Sequence, residues 1–332
     1  MKPNILVARA VFDDVVTRLR EHFDVTENRS DTIFTPEELS ERLVGKTGAF
    51  ITGSERIDAA LLDAHPQLKA VCNMAVGYNN IDIPACTAHG VLVTNTPDVL
   101  TETTADFGFA LMMATARRMA ESEHFLRRGE WKKWAYDMFT GSDVHGATLG
   151  ILGMGRIGQS IARRGALGFG MRVIYHNRSR LDAATESQLG ARYVSKETLL
   201  READHLIIVV PYSSATHHIV GANELALMKP SATLTNIARG GVIDDAALAV
   251  ALARKQIAAA GLDVFEGEPV VNPALLALPN VVLTPHIASA TVATRRAMAN
   301  LAADNLIAAL GFGPNAGRPP TPINAELLQR VS

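Results

Sequence analysis

The chain has 332 residues, 48% hydrophobic and 20% charged, with 32 basic against 34 acidic side chains and only 2 cysteines. A nearly balanced charge lacks the broad positive field that nucleic acid or an anionic membrane would require, so neither is expected as a partner. The length exceeds one ordinary core and predicts two domains, and the lack of a signal-peptide pattern or a long apolar run points to a cytoplasmic location.

From the N-terminus, short apolar runs alternate with helical patterns: Ile5 to Ala8, a helix over Phe12 to Phe23, then Gly48 to Thr52, Leu68 to Met74 and Val91 to Thr94. This is the rhythm of a parallel α/β domain. Cys72 closes the run Leu68-Lys69-Ala70-Val71-Cys72 and reads as a reduced core thiol. Pro97 and the Thr-rich stretch 101–104 mark the passage to a second region. One long helix is predicted there over Thr103 to Arg128, with Phe107, Leu111, Met112, Thr115 and Met119 on one face. The 17 residues from Gly129 to His145 hold Trp131, Trp134, Tyr136 and Phe139 without periodicity. So much aromatic area predicts a subunit contact, with a packed loop as the plainer alternative.

Strands are predicted next at 148–153, 171–176, 191–194, 205–210, 232–237, 258–264 and 280–284, followed by a helix over 293–310. The strand repeat has ended by then, so this last helix is expected to return to the first domain. The fold class is therefore α/β, with two doubly wound parallel-sheet domains.

The strongest chemical signal is Thr148 to Gly158, in which an apolar strand runs into G-x-G-x-x-G (Gly153, Gly155, Gly158) and opens a helix predicted over Arg156 to Leu167. Such a turn lets backbone amides approach a pyrophosphate, and the helix N-terminus adds partial positive charge. An NAD-preferring site places a carboxylate at the end of the next strand, for the ribose hydroxyls. Here that strand ends in His176-Asn177-Arg178-Ser179-Arg180, with no carboxylate before Asp182. A guanidinium and a hydroxyl suit a 2′-phosphate, so Asn177, Arg178 and Ser179, with Arg180 nearby, predict NADPH; the alternative is a solvated turn.

Three later strand ends carry polar residues that apolar packing does not explain: Asn236 to Gly241, Gly261 to Pro269, and Thr284 to Ser289. Ligands of open α/β sheets lie beyond the carboxyl ends of strands, which makes Arg239, Glu268 and His286 candidates to converge on a nicotinamide. Reducing a 2-keto acid needs a cation for its oxygens, a proton donor for the developing alkoxide, and a dry pocket. An Arg fork suits the first task, a protonated His the second, and a nearby Glu keeps the imidazolium charged until the proton moves. No metal is expected, because His217-His218 is the one close histidine pair and no carboxylate lies at ligand spacing along the chain.

With these residues identified, the chain resembles the D-isomer-specific 2-hydroxyacid dehydrogenase family, and within it the glyoxylate/hydroxypyruvate reductases that also reduce 2-ketogluconate. The likeness covers essentially the whole chain, including Val76 to Asp82, Asn95 to Thr103, the glycine turn, Asn236 to Gly240, Gly261 to Pro269 and Pro285 to Thr291. It implies a Rossmann NAD(P)-binding domain over 101–288, with a dimerisation segment at about 120–146, inserted into a flavodoxin-like substrate domain of 1–100 and 289–332. It further implies Arg239 as substrate-binding cation, Glu268 as the partner that tunes the histidine, and His286 as acid/base. Amides around Val76 and Gly77 would hold the substrate carboxylate, and Leu100 and Thr104 would line the cleft. Thr104, Arg156, Ile157, Pro211, Thr216, Ala238 and Asp263 would touch the cofactor, NADPH in preference to NADH. The family is usually homodimeric, and Trp134 would reach the neighbouring active site. Val76 replaces the Lys of phosphite dehydrogenase, which argues against phosphite, and Ala288 replaces a common Gly. A D-lactate-type dehydrogenase and a nucleotide-sensing corepressor are the alternatives implied by the same resemblance.

Overall fold

The structure, a computed structural model, describes residues 2–330. The chain forms two compact units, one made of residues up to Leu100 together with those from Thr291 onwards, the other of Thr101–Ala290.

The first unit is built on β1 (Asn4–Val7), β2 (Asp24–Glu27), β3 (Gly48–Ile51), β4 (Ala70–Asn73) and β5 (Leu92–Thr94), all parallel in the order β2-β1-β3-β4-β5. β1, β3 and β4 are almost wholly apolar because helices cover both faces of the sheet. One covering helix is Val292–Ala309, whose Ala299, Ala302, Ala303 and Leu306 pack with Ile5, Val7, Phe50 and Cys72. Gly48 permits this close approach: a Cβ there would stand 2.9 Å from Leu306 Cδ1 and from Leu310 Cδ1. Cys72 and Cys86 are both buried free thiols.

The second unit carries β6 (Thr148–Leu152), β7 (Arg172–His176), β8 (Ala191–Tyr193), β9 (His205–Ile208), β10 (Thr233–Asn236), β11 (Ala259–Leu262) and β12 (Val281–Leu283). Their order is β12-β11-β10-β9-β6-β7-β8, again all parallel. Helix Thr101–Ala116 lies over β10 and β11, where a Cβ at Gly261 would crowd Thr115 and come within 2.9 Å of Leu111 Cγ. Both units are thus parallel α/β sheets, as the alternating pattern predicts. Among the described residues no helix is long and apolar enough to cross a membrane.

Two local expectations fail for physical reasons. The predicted helix from Thr103 to Arg128 is two helices, Thr101–Ala116 and Met119–Arg127, because Arg118 turns left-handed (φ 53°). The backbone N–H of Ser142 then donates to the Ala116 carbonyl at 2.9 Å, and the Arg118 guanidinium is held by Glu121 and the face of Phe139. Strand β2 goes unrecognised because its sequence, Asp-Val-Thr-Glu, has one strongly apolar residue and pairs as an edge. The helix after the glycine turn keeps its predicted span, with α geometry over Arg156–Arg163 continued by a π-helical turn over Arg164–Gly168.

Candidate active site

The glycine turn sits where the second sheet reverses its order, with β7 and β8 on one side of β6 and β9 to β12 on the other; open α/β sheets bind ligands at such a switch point. Gly153 has φ 103°, and a Cβ on it would lie 2.8 Å from the backbone of Val209 and Val210. A Cβ on Gly158 would overlap the Gly153 carbonyl, whereas nothing stands within 4 Å of the Cβ position of Gly155. The turn therefore closes on itself at two glycines and leaves open space at the third. Helix Arg156–Arg163 starts from Gly155 without a side-chain cap, and Ile157 lies in its first turn. Those first amides remain for a ligand anion. Thr104 adds a buried hydroxyl with no partner among the described residues. An open backbone cradle, uncapped amides and an orphaned hydroxyl together fit a dinucleotide.

At the end of β7, the Asn177 side-chain amide donates to Ser179 O at 3.1 Å and Tyr193 OH donates to Asn177 O at 3.3 Å. Arg180 is engaged elsewhere, in a fork onto Glu186 at 2.9 and 2.7 Å, which corrects the expectation that it shares a phosphate site. Arg178 is exposed and has no ion pair among the described residues. After β9, Thr216 closes its loop by donating to Pro211 O at 2.7 Å and accepting from Ser213 N at 2.8 Å.

The ends of β10, β11 and β12 bring the three candidate catalytic residues into one neighbourhood. Asn236, buried at the end of β10, accepts from Ala238 N and donates to Arg239 O, which sets the turn that carries Arg239. Arg239 Nη1 donates to Ala238 O at 2.7 Å; burial lowers its pKa and the charge of Glu268 opposes that shift. Gly240 is required for the approach of the next loop, since a Cβ there would overlap the Phe265 carbonyl.

That loop ends in Glu268, whose Oε1 accepts from Phe265 N at 3.2 Å and whose Oε2 meets His286 Nδ1 at 2.7 Å. Burial alone would raise the Glu268 pKa; the hydrogen bond from His286, with the charges of His286 and Arg239, holds it below the usual carboxylate value. An ionised carboxylate only accepts, so Nδ1 carries the proton toward Glu268 and Nε2 is left as the other reactive edge of the ring.

His286 is left-handed (φ 55°), and Asp263 over-determines that conformation. The Asp263 carbonyl accepts from His286 N at 2.8 Å, while its carboxylate accepts from Ile287 N, Ala288 N and Thr284 Oγ1 at 2.8 to 2.9 Å. The left-handed residue of this turn is thus His286, and Ala288 is a buried donor at its foot. Burial raises the Asp263 pKa.

Val76, Gly77 and Leu100 belong to the first unit. The carbonyls of Val76 and Gly77 accept from Asn95 Nδ2 at 2.8 Å and Asn73 Nδ2 at 2.9 Å, which fixes the loop after β4; Leu100 is buried.

Sequence reading assigned no task to Asn73, Thr284 or Asp245. Asp245 is buried and accepts from Glu266 N at 3.0 Å, holding the loop that leads to Glu268. Its signal was the pair Asp244-Asp245 at a helix start: Asp244 caps Ala247 N, so the second carboxylate is spare.

The sequence profile described as D-isomer specific 2-hydroxyacid dehydrogenase, NAD binding domain, matches residues 109–288. The chain is 49% identical over 332 residues to a glyoxylate reductase of Thermococcus onnurineus, covering 99% of this chain and 98% of that one. It is 46% identical over 313 residues to glyoxylate/hydroxypyruvate reductase B of Klebsiella pneumoniae, covering 93% and 96%. Among solved structures, the NADPH-dependent glyoxylate/hydroxypyruvate reductase of Sinorhizobium meliloti in complex with NADP and malonate superposes with a TM-score of 0.83 at 38% identity, covering 98% of this chain and 97% of that one. With this similarity along its whole length, and a nucleotide-binding domain that ends in an Arg, Glu and His cluster, the chain belongs to the D-isomer-specific 2-hydroxyacid dehydrogenase family of nicotinamide-dependent oxidoreductases.

Proposed function

We propose that the chain is an NADPH-dependent reductase of small 2-keto acids, with glyoxylate and hydroxypyruvate as its main substrates and 2-ketogluconate as a further one. The observation that carries this reading is the 2.7 Å contact between His286 Nδ1 and an ionised Glu268 beside a half-buried Arg239. The keto-acid class is supported by the relatives' names, and NADPH by the missing carboxylate after β7 and the unengaged Arg178.

Gly153, Gly155, Arg156, Ile157 and Gly158 hold the pyrophosphate, and Asn177, Arg178 and Ser179 the 2′-phosphate. Thr104, Pro211, Thr216, Ala238 and Asp263 complete the cofactor contacts. When bound, the nicotinamide supplies a hydride to the carbonyl carbon. Arg239 orients the keto acid through its fork and balances charge gathering on the carbonyl oxygen. His286 delivers a proton from Nε2 to that oxygen, and Glu268 fixes the ring and offsets the imidazolium charge. By the family resemblance, the Val76 and Gly77 amides are assigned to the substrate carboxylate and Leu100 to an apolar wall.

A steady-state panel of glyoxylate, hydroxypyruvate, 2-ketogluconate, pyruvate and phosphite with both cofactors tests this. Higher kcat/KM for NADPH with the first two substrates is expected, and Arg178→Ala should reduce the NADPH value about tenfold or more while sparing NADH. A preference for NADH, or for pyruvate, would overturn the corresponding part.

The chain also acts as a homodimer through the segment after Met119–Arg127. Trp131, Trp134 and Tyr136 are 53%, 70% and 90% exposed, an aromatic surface suited to burial against a second copy. Sedimentation should give twice the chain mass of 35.6 kDa; a monomer at micromolar concentration contradicts this.

A further inference from the structure

Along the chain, His217-His218 has no carboxylate at ligand spacing, yet folding brings Glu266 to it from 48 residues away. His218 Nε2 lies 3.0 and 3.1 Å from the two Glu266 carboxylate oxygens. The His217 and His218 rings stack with centroids 3.9 Å apart and an interplanar angle of 22°. One ligand atom from each of the three residues lies within 4.8 Å of the others. We propose that His217, His218 and Glu266 form a binding site for a borderline divalent transition-metal ion, of the Ni2+ or Zn2+ kind, that joins the loops following β9 and β11.

A plain surface ion pair between His218 and Glu266 would need no second imidazole, and two stacked imidazolium rings would repel each other. A metal ion instead draws on both rings in the neutral form, with the carboxylate as the anionic third ligand and water at any open position. Two imidazole nitrogens and one oxygen suit Ni2+, Cu2+ or Zn2+, whereas Mg2+ and Ca2+ prefer all-oxygen shells.

The surroundings are built to hold this arrangement. Tyr212 OH is 3.2 Å from His217 Nδ1, and in the tautomer with the proton on Nδ1 the hydroxyl accepts it and the Nε2 lone pair is left for a ligand. His218 is left-handed (φ 49°), with its N–H donated to Gly241 O at 2.8 Å. Val220 bridges to Ile243 just beyond. On the other side, Asp245 fixes the Glu266 backbone and adds a second carboxylate behind the first. His217 and Glu266 are exposed and His218 half-buried, so an ion can enter without unfolding the loops.

The test is calorimetric titration of the full, untagged chain with Ni2+, alongside His217→Ala, His218→Ala and Glu266→Gln, each first checked for an unchanged melting profile without metal. Binding of one equivalent is expected, weakened about tenfold or more in each variant, with a metal-induced rise in Tm for the parent chain alone. Cu2+ in place of Ni2+ should give an electron paramagnetic resonance spectrum with two nitrogen couplings. Absence of saturable Ni2+ binding, or parental affinity in any one of the three variants, overturns the site.

Discussion

Replacing His286 by asparagine is expected to lower kcat about 1000-fold, or ~4 kcal/mol of transition-state stabilisation, while the dissociation constant for NADPH changes by no more than about twofold. Asparagine is the informative choice because His286 sits at φ 55°. Asn accepts left-handed backbone far better than Ala, so the Asp263 contacts to the turn survive and the loss reports the missing proton donor. Nicotinamide fluorescence titration measures the dissociation constant and steady-state turnover of glyoxylate measures kcat. A variant with parental kcat would remove His286 from the reaction. The same pair is expected to set the acid limit of the parent chain's activity, read from the pH dependence of kcat. Glu268 has its carboxyl held below the usual value, so its interaction with His286 is intact above that usual value and is lost only as pH falls through the lower, folded one.

How much of this was legible in the sequence depended on whether a residue's task is local. The glycine turn declares itself because strand, turn and helix are contiguous, and Gly153, Gly155 and Gly158 do what that spacing demands. The parallel strands were readable because burial on both faces makes them continuously apolar; β2 escaped because an edge strand can afford Asp, Thr and Glu. The break at Arg118 was invisible because what replaces the helical hydrogen bond at Ala116 is Ser142, 26 positions away, in a segment with no period of its own. The His286–Glu268 pair could be guessed from chemistry, but the devices that hold it could not. Asp263 and Asp245 spend their carboxylates on backbone N–H groups of distant loops, and neither partner is implied by its neighbours in sequence. Arg180 shows the converse: it stands in the right place along the chain, but Glu186 on the following helix claims it. The two-His and Glu266 cluster was missed for the same reason, since loops after different parallel strands meet at the carboxyl end of the sheet whatever their separation in sequence.

Arg239→Lys is expected to lower kcat/KM for the keto acid by about 100- to 1000-fold, roughly 3–4 kcal/mol, although the formal charge is kept. Arg239 is held in a half-buried setting where desolvation already presses against its charge. A guanidinium survives that pressure because its intrinsic pKa is so high, but a lysine ammonium in the same place can lose its proton. Even when charged, the ammonium is a point donor. Arg239 uses Nη1 to brace itself on Ala238 O and keeps its other donors in the same rigid plane for a ligand, a division of labour that one ammonium cannot copy. Loss of the brace should also make the substituted side chain mobile, so the defect is expected in both kcat and KM. NADPH affinity and Tm serve as controls for folding. A lysine variant within about threefold of the parent would mean that charge alone suffices, and that the fork has no part in orienting the carbonyl.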